Sequence, residues 1–325
     1  MTHITSHIRE PFNIRAVRLS NRLVQAPLAG ISGRAFRLQA RRYGVGLTVT
    51  EMVSSYGVRY HNARTLEMLE LVEREHPVAV QLFGSDPEVM AQAARAAESA
   101  GADIIDVNMG CPVRKVIKTG AGAALMRDEG LAVRIVAAMV DAVGIPVTIK
   151  MRSGPGRLVT AFSLAMLLQD AGAAAICIHP RTGAQMWKGK ADHTVSVKLA
   201  AALDIPVIAS GDINGSVDAR RLLESGCTAI MIGRPALGDP WLFSDLLAGE
   251  EPGCRSLDEV LAEVGLFYGD IVDEMGEERA ERHLRKFYGW YLRRFRPTTQ
   301  LRAALLHSHG FKEAERLIRQ AMMQG

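Results

Sequence analysis

Ile104–Met126 reads IIDVNMGCPVRKVIKTGAGAALM. Ile104, Ile105 and Val107 are bulky and open the stretch as a short buried strand. Gly110-Cys111-Pro112 ends it, because that tripeptide continues neither a helix nor a central strand. A cysteine is thereby displayed on a loop at the end of a strand, beside Asn108, with Lys115 and Lys118 close behind. Gly120 and Gly122 let that loop fold back tightly. A cysteine taken at random is more often a buried small hydrophobe. Here the Asn, Gly, Pro and Lys neighbours are poor core material and favour a displayed thiol.

The same layout recurs along the chain. Apolar runs begin near Leu23 (LVQAP), Leu47 (LTVTEMV), Val78 (VAVQLFG), Ile104, Val147 (VTIKM), Ala174 (AAICIH), Pro206 (PVIAS) and Ala229 (AIMIG). Between them lie segments of helical periodicity, such as Glu88–Ser99, Ala132–Val143, Leu158–Ala171 and Val217–Glu224. Nearly apolar strands separated by helices imply a parallel sheet covered on its outer face, and eight of them is the number that closes a (β/α)8 barrel. A doubly wound open sheet is the alternative, but no G-x-G-x-x-G follows the first strand. The predicted fold is α/β: a (β/α)8 TIM barrel over residues 1–243, then a small C-terminal α-helical bundle domain over residues 244–325.

Active sites of such barrels sit at the C-terminal ends of the strands, and polar residues collect there. They are Pro27-Leu28-Ala29-Gly30, Thr50-Glu51, Gln81, Asn108 with Cys111, Lys150 with Arg152, His179 with Arg181, Ser210-Gly211-Asp212, and Gly233-Arg234. The last two groups are short turns suited to a phosphate, and Arg234 adds a charge-assisted donor. Lys150 suits the negative charge of a reduced flavin near the pyrimidine end of its ring. A phosphate pocket, a central Lys and a central His together suggest flavin mononucleotide (FMN). A sugar-phosphate aldolase using Lys150 as a Schiff base competes with that reading.

An apolar share of 48% and a charged share of 23% are ordinary for a soluble globular protein. The N-terminal residues MTHITSHIREPFNIR contain no apolar core of a secretory signal. Nothing approaches the roughly 18 apolar residues of a membrane span. Cys111, Cys177, Cys227 and Cys254 form no C-x-x-C pair, so neither a disulfide framework nor a metal site is expected, and the compartment expected is a reducing cytoplasm. The net charge of +4 hides an asymmetry: residues 244–280 carry −9 and residues 281–325 carry +7. That pattern fits a polyanion-binding face, or a pairing of solvated helix faces within the chain.

In its motifs the chain resembles the tRNA-dihydrouridine synthases, over essentially its whole length. The matching segments are APLAGISGRAFR from Ala26, TEMVSS from Thr50, QLFGSDP from Gln81, NMGCPVRKVIKTGAGAALM from Asn108, TIKMRSG from Thr148, HPRTGAQMWKGKADH from His179, ASGDI from Ala209 and IGRPALGDPWLF from Ile232. The N-terminal I-x-x-x-L-x-N-R lead-in and the last segment look most like the bacterial B type. The resemblance implies reduction of the carbon 5–carbon 6 double bond of a D-loop uridine in tRNA. NADPH, or NADH, would reduce bound FMN, hydride would reach carbon 6, and Cys111 would protonate carbon 5. It implies FMN contacts at Pro27, Leu28, Ala29, Gln81, Lys150, His179, Ser210, Gly211, Asp212, Gly233 and Arg234, and uracil or RNA contacts at Asn108 and Arg152. Lys115, Lys118 and Arg181 join the substrate side as cations near the same rim. A flipped uridine and a monomeric enzyme complete the expectation.

The chain departs from the family pattern in places. Leu28 stands where Met is usual, Gly33 where an Asp supports the first loop, and Ser210 where Asn is common. Trp187 and His193 stand where Tyr or Phe, and Trp, are frequent.

After the last barrel strand, Leu257–Met275, Arg279–Phe295 and Phe311–Met323 have helical spacing. HLRKFYGWYLRRFRP interleaves basic and aromatic residues, as RNA-contacting faces do. Leu284, Phe287 or Tyr288, Tyr291 and Phe295 repeat at helical intervals, however, and read more readily as bundle core. Arg285, Lys286, Arg293, Arg294 and Arg296 would then face outward, toward phosphate. Two other functions stay open: a flavin oxidoreductase of a free pyrimidine, resembling dihydroorotate dehydrogenases, and a non-catalytic RNA-binding barrel.

Overall fold

The computed structural model describes residues 6–156 and 159–323. Eight parallel strands run around one sheet: β1 (Leu23–Gln25), β2 (Thr48–Val49), β3 (Val78–Phe83), β4 (Ile104–Met109), β5 (Val147–Gly154), β6 (Ala175–Thr182), β7 (Val207–Ser210) and β8 (Ala229–Ile232). Each pairs with its sequence neighbour from β2 to β8, and β8 pairs with β1. The seam between β1 and β2 is a single parallel bridge, Val24 to Leu47, where Gln25 N–H donates to Leu47 O at 2.9 Å. The predicted barrel is the observed one. Val53–Ser54 adds a second short pairing to the end of β3.

Alternation along each strand sends every second side chain outward. Val107, Ile149, Met151, Ile176 and Ile178 are fully buried there, under helices Pro87–Ser99, Glu129–Ala142 and Ala161–Asp170. Leu158, the expected first residue of the third of these helices, lies outside the described residues. The first two helices start where their sequences supply caps. Asp86 accepts from Val89 N–H with Pro87 in the first turn, and Asp128 accepts from Leu131 N–H. A hairpin that the sequence reading missed, Phe12–Ile14 with Val17–Leu19, closes the bottom of the barrel. Its Ile14 and Leu19 are fully buried against Ile104, Ala175 and Ala229. Strands of three residues are too short to show a period.

The C-terminal helices are Leu257–Met275, Glu277–Tyr291, Thr299–His307 and Gly310–Met323. Ser256 and Glu259 form a capping box at the first of them. The second ends at Tyr291 rather than the predicted Phe295, because the chain tightens into a 3-10 turn, Arg293–Phe295, and then turns left-handed at Arg296. Helix Thr299–His307, capped by Thr298, had no place in the sequence reading. Leu284, Phe287, Tyr288 and Tyr291 are buried among Phe267, Ile271 and Ile318, so the aromatic spacing builds bundle core. That core also takes in Ala35 and Phe36 from the first barrel helix, Arg34–Arg42. Much of the acidic run is paired inside the chain: Glu263 and Asp270 with Arg42, Asp245 with Arg255, and Asp258 with Arg319. Among the described residues no helix is long and apolar enough to cross a membrane.

Candidate active site

A cavity of about 560 Å³ opens at the C-terminal ends of the strands. Pro27, Leu28, Ala29, Gln81, Lys150, His179, Ser210, Gly211, Asp212, Gly233 and Arg234 all line it, together with Cys111, Asn108 and Arg152. Arg293 and Arg294 line it too, from the turn after the second C-terminal helix. Strand register explains the grouping: Gln81 pairs with Asp106, Asn108 with Lys150, and Arg152 with His179.

Beneath the cavity lies a group absent from the sequence reading. Asp106 is buried at the centre of β4, where it accepts from Gln81 Nε2 at 2.7 Å and Thr148 Oγ1 at 2.8 Å. Burial raises its carboxyl to about 6, against the opposing effects of those two bonds and of Lys150. With Nε2 donating to Asp106, the Gln81 oxygen accepts from Asn108 Nδ2 at 2.8 Å. The Asn108 oxygen then accepts from Cys111 N–H at 2.9 Å and Gly110 N–H at 3.2 Å. One buried carboxylate therefore orients both carboxamides and anchors the loop that carries the thiol.

Cys111 is half-buried. Burial pushes its thiol above the ordinary value, and this outweighs a backbone hydrogen bond at Val113 and the nearby Arg152 and Lys150. Arg152 ties two loops together, donating to Gly110 O at 2.8 Å, Thr182 O at 3.0 Å and Met186 O at 2.7 Å. Burial, then Arg181 nearby, lowers its guanidinium to about 10. The ammonium of Lys150 enters no hydrogen bond or ion pair among the described residues, so a cation stands uncommitted in the cavity wall.

His179 is driven down to about 2 by burial and by Lys150, Arg152 and Arg181, so it is neutral at physiological pH. Arg181 Nη1 lies 3.2 Å from His179 Nε2, and a guanidinium only donates, so Nε2 accepts and the ring proton sits on Nδ1. Gly211 makes room for this ring: at φ +101°, a Cβ there would come within 2.7 Å of His179 Cδ2. His193 steadies the same turn by donating to Gly211 O at 2.8 Å.

Arg181, expected on the substrate side, faces elsewhere. It is buried, donates to both Asp212 oxygens at 2.8 and 2.6 Å and to Gly189 O at 2.6 Å, and stands behind His179 instead of lining the cavity. Burial opposes ionisation of Asp212, but hydrogen bonds from Arg181 and Ala191 outweigh it and hold the carboxyl below its ordinary range. Lys115 and Lys118 are exposed on the outer side of the Cys111 loop, away from the cavity. Arg285 is half-buried and donates to Ser308 O at 3.0 Å, so it does not belong to an outward set. Lys286 donates to Gly30 O and lines a second, larger groove of about 1100 Å³ between the first two barrel loops and the C-terminal helices.

At the Gly233 end the cavity holds Arg234, Arg293 and Arg294, the last paired with Asp239. Beyond the Ser210-Gly211-Asp212 turn, the Glu251 carboxylate accepts from Ser216 Oγ and from Val217 N–H at 3.2 Å, at the start of helix Ser216–Glu224. Both turns expected to meet a phosphate, Ser210-Gly211-Asp212 and Gly233-Arg234, line the cavity. Three guanidiniums at one end, an unpaired Lys150 in the middle and apolar Ala26, Leu28 and Met231 along the wall fit the phosphate, ring edge and ring face of FMN. Among the described residues no cluster of three or more His, Cys, Asp or Glu is placed to hold a metal ion.

The first loop is held from outside itself. Ser32 Oγ accepts from Leu28 N–H at 2.9 Å, and Glu51 accepts from Gly30 N–H. Gly33, which replaces the usual Asp, supplies no cap to helix Arg34–Arg42. Glu274 supplies it instead, accepting from Arg34 N–H at 2.9 Å and Ala35 N–H at 2.8 Å.

The chain is similar to known proteins in fold and in sequence. In overall fold the chain is similar to morphinone reductase, with a TM-score of 0.58 at 16% identity, over 80% of this chain and 94% of that one. It is 42% identical over 288 residues to tRNA-dihydrouridine synthase B of Pseudomonas aeruginosa, covering 84% of each chain. It is 40% identical over 282 residues to a probable tRNA-dihydrouridine synthase of Rickettsia bellii, covering 85% of this chain and 86% of that one. The family described as Dihydrouridine synthase (Dus) matches residues 24–324, nearly the whole barrel and all four C-terminal helices, and it is to this family that the chain belongs.

Proposed function

We propose that the protein reduces the carbon 5–carbon 6 double bond of a D-loop uridine in tRNA, giving 5,6-dihydrouridine, with FMN as cofactor and NADPH as electron donor. The observation that carries this reading is a half-buried thiol, raised above its ordinary value, in the same cavity as an uncommitted Lys150. A proton donor must still hold its proton at working pH, and burial provides that for Cys111.

Pro27, Leu28, Ala29, Gln81, Lys150, His179, Ser210, Gly211, Asp212, Gly233 and Arg234 would hold FMN. When bound, FMN supplies the hydride that carbon 6 receives. Cys111 gives its proton to carbon 5 and regains one from solvent, so the base gains two hydrogens. Lys150 would offer its ammonium to the flavin's pyrimidine edge, and neutral His179 would offer Nδ1–H as a donor. Arg181 and Asp212 fix the tautomer of His179, and Asp106 fixes Gln81 and Asn108. Asn108 and Arg152 would meet the uracil.

A base within a folded RNA must leave its stack to reach so recessed a thiol, so the substrate is a flipped uridine, recognised through RNA shape and backbone. The division into a catalytic unit, residues 1–243, and an RNA-holding unit, residues 244–325, belongs to the same proposal, as do a cytoplasmic location and a monomeric state. Arg296, exposed and outside the cavity lining, is suited to RNA phosphate on the helical side. The test is dihydrouridine mapping on unmodified tRNA incubated with the FMN-loaded protein and NADPH. Dihydrouridine at a D-loop position is expected. NADPH consumption that leaves the tRNA unchanged would point to a free pyrimidine substrate and overturn the RNA reading.

A further inference from the structure

We infer that Glu274, on the C-terminal helix Leu257–Met275, is a positioning residue of the cavity: it caps a barrel helix from outside the barrel and so holds the loop that forms the cavity's first wall. Helix Arg34–Arg42 opens directly after that loop, and its N-cap is Gly33, which brings no side-chain acceptor. A helix start leaves its first amides without partners, and the ordinary local remedy is Asp, Asn, Ser or Thr at the N-cap. Here one Glu274 oxygen takes Arg34 N–H and the other takes Ala35 N–H, at 2.9 and 2.8 Å, across some 240 residues of sequence.

Gly33 is there for space, not for backbone freedom. Its φ of −60° and ψ of 177° are extended values that any residue adopts. A Cβ on it, however, would lie 2.8 Å from Glu274 Oε1 and 3.3 Å from Oε2. An acidic side chain in place of Gly33 and the carboxylate of Glu274 therefore compete for the same place at the helix start, and the Glu274 carboxylate would have to leave its bonds to Arg34 and Ala35 to make room. Two further bonds reinforce the same joint: Arg34 Nη2 donates to Asp273 O at 3.0 Å, and Lys286 donates to Gly30 O.

From the cap the connection to the cavity is short. Ser32 precedes Gly33, its Oγ accepts from Leu28 N–H at 2.9 Å, and its own N–H donates to Leu28 O at 2.9 Å. Pro27, Leu28 and Ala29 line the cavity. Removing Glu274 orphans two amides and releases the turn whose other end is the cavity wall. The C-terminal helices thereby help to set the shape of the cofactor site. This inference rests on the flavin reading of the cavity.

The test is a double-mutant cycle read by FMN titration of the apoprotein, following flavin fluorescence, with thermal unfolding of each variant alongside. Glu274→Ala is expected to weaken FMN binding about fivefold, the size of a lost N-cap. Gly33→Asp alone is expected to weaken it similarly, because the new side chain meets the Glu274 carboxylate. Combined, the two should restore affinity to within about twofold of wild type, since the introduced aspartate then caps the helix locally. Glu274→Gln, keeping one acceptor, should fall between wild type and Glu274→Ala. A cycle in which the two losses simply add, or a Glu274→Ala protein that is less heat-stable yet binds FMN normally, would overturn the inference alone. A wild-type protein that binds no FMN would remove the flavin reading, and this inference with it.

Discussion

The barrel rim and the C-terminal helices are both crowded with polar side chains, but the two regions bind them differently. On the rim the partners are neighbours in the strand order: Asp106 with Gln81 and Thr148, Asn108 with Cys111, Arg181 with Asp212. Burial there pushes Cys111 and Asp106 up and His179 down, so these three groups are held toward their neutral forms while Lys150 makes no hydrogen bond or ion pair among the described residues. On the helices the polar groups reach back to the barrel from far along the chain, Glu274 to Arg34 and Ala35, Glu263 and Asp270 to Arg42, Arg294 to Asp239. The rim is arranged for chemistry on a ligand, and the helices for attachment. If that contrast is right, substitutions in the two regions must fail in different ways.

The largest effect belongs to Cys111. Cys111→Ala should slow uridine reduction by about 10²–10⁴-fold in single turnover, the range for a positioned proton donor, while FMN and tRNA affinities stay near wild type. Comparable loss of rate from a C-terminal variant that still binds both ligands would erase the distinction between the regions. Lys150→Met comes next. It removes a cation that makes no hydrogen bond or ion pair among the described residues, and FMN affinity should fall roughly ten- to hundredfold, as expected for a hydrogen bond to a charged group. Unchanged flavin binding in that variant would leave the cavity's central charge without a role.

His179 sharpens the same contrast through pH. Its folded value of about 2 lies far below the ordinary value of 6.5. As pH falls through 6.5 the unfolded chain takes up a proton that the folded chain refuses, so stability declines on the acid side, by at most about 1.4 kcal/mol per pH unit from this one group. His179→Gln should flatten that part of the acid limb in urea titrations between pH 6 and 4. An inflection of FMN affinity near 6.5 that disappears in His179→Gln would mean that His179 titrates normally and that the cluster of Lys150, Arg152 and Arg181 does not hold it neutral, whereas one that persists in the variant belongs to another group, such as Asp106 near 6.

The strands and their polar ends were legible because a parallel strand buried on both faces leaves an unbroken apolar run that stops where the rim begins. Cys111, Lys150 and His179 stand at such stops. Asp106 was not legible: it sits inside the run IIDVN, where a single acid looks like an interruption, and its purpose depends on Gln81 and Thr148 from the two flanking strands. Arg181 was placed on the rim correctly but its direction was not, since only the fold brings Asp212 beside it. The cap at Gly33 could not be read either, because its acceptor lies in another region of the chain. Local pattern reveals what a segment does for itself, and long-range polar partners appear only once the chain is folded.

The smallest expected effect tests the helices on their own terms. Arg285 and Arg296 lie in the same basic run, yet Arg285 is half-buried on the Ser308 carbonyl and Arg296 is exposed. A phosphate-facing arginine releases counterions when RNA binds, so its removal should reduce the slope of log affinity against log salt by about one. Arg296→Ala is expected to do this, with tRNA affinity only a few-fold weaker and the rate at saturating tRNA unchanged. Arg285→Ala should leave the slope alone and lower the unfolding temperature instead, because it strips a partner from the Ser308 carbonyl at the C-terminal end of helix Thr299–His307. Equal slopes for the two variants would show that exposure does not select the RNA-facing charges on this bundle, and the phosphate contacts would then have to be sought along the groove lined by Arg34, Arg64 and Arg279.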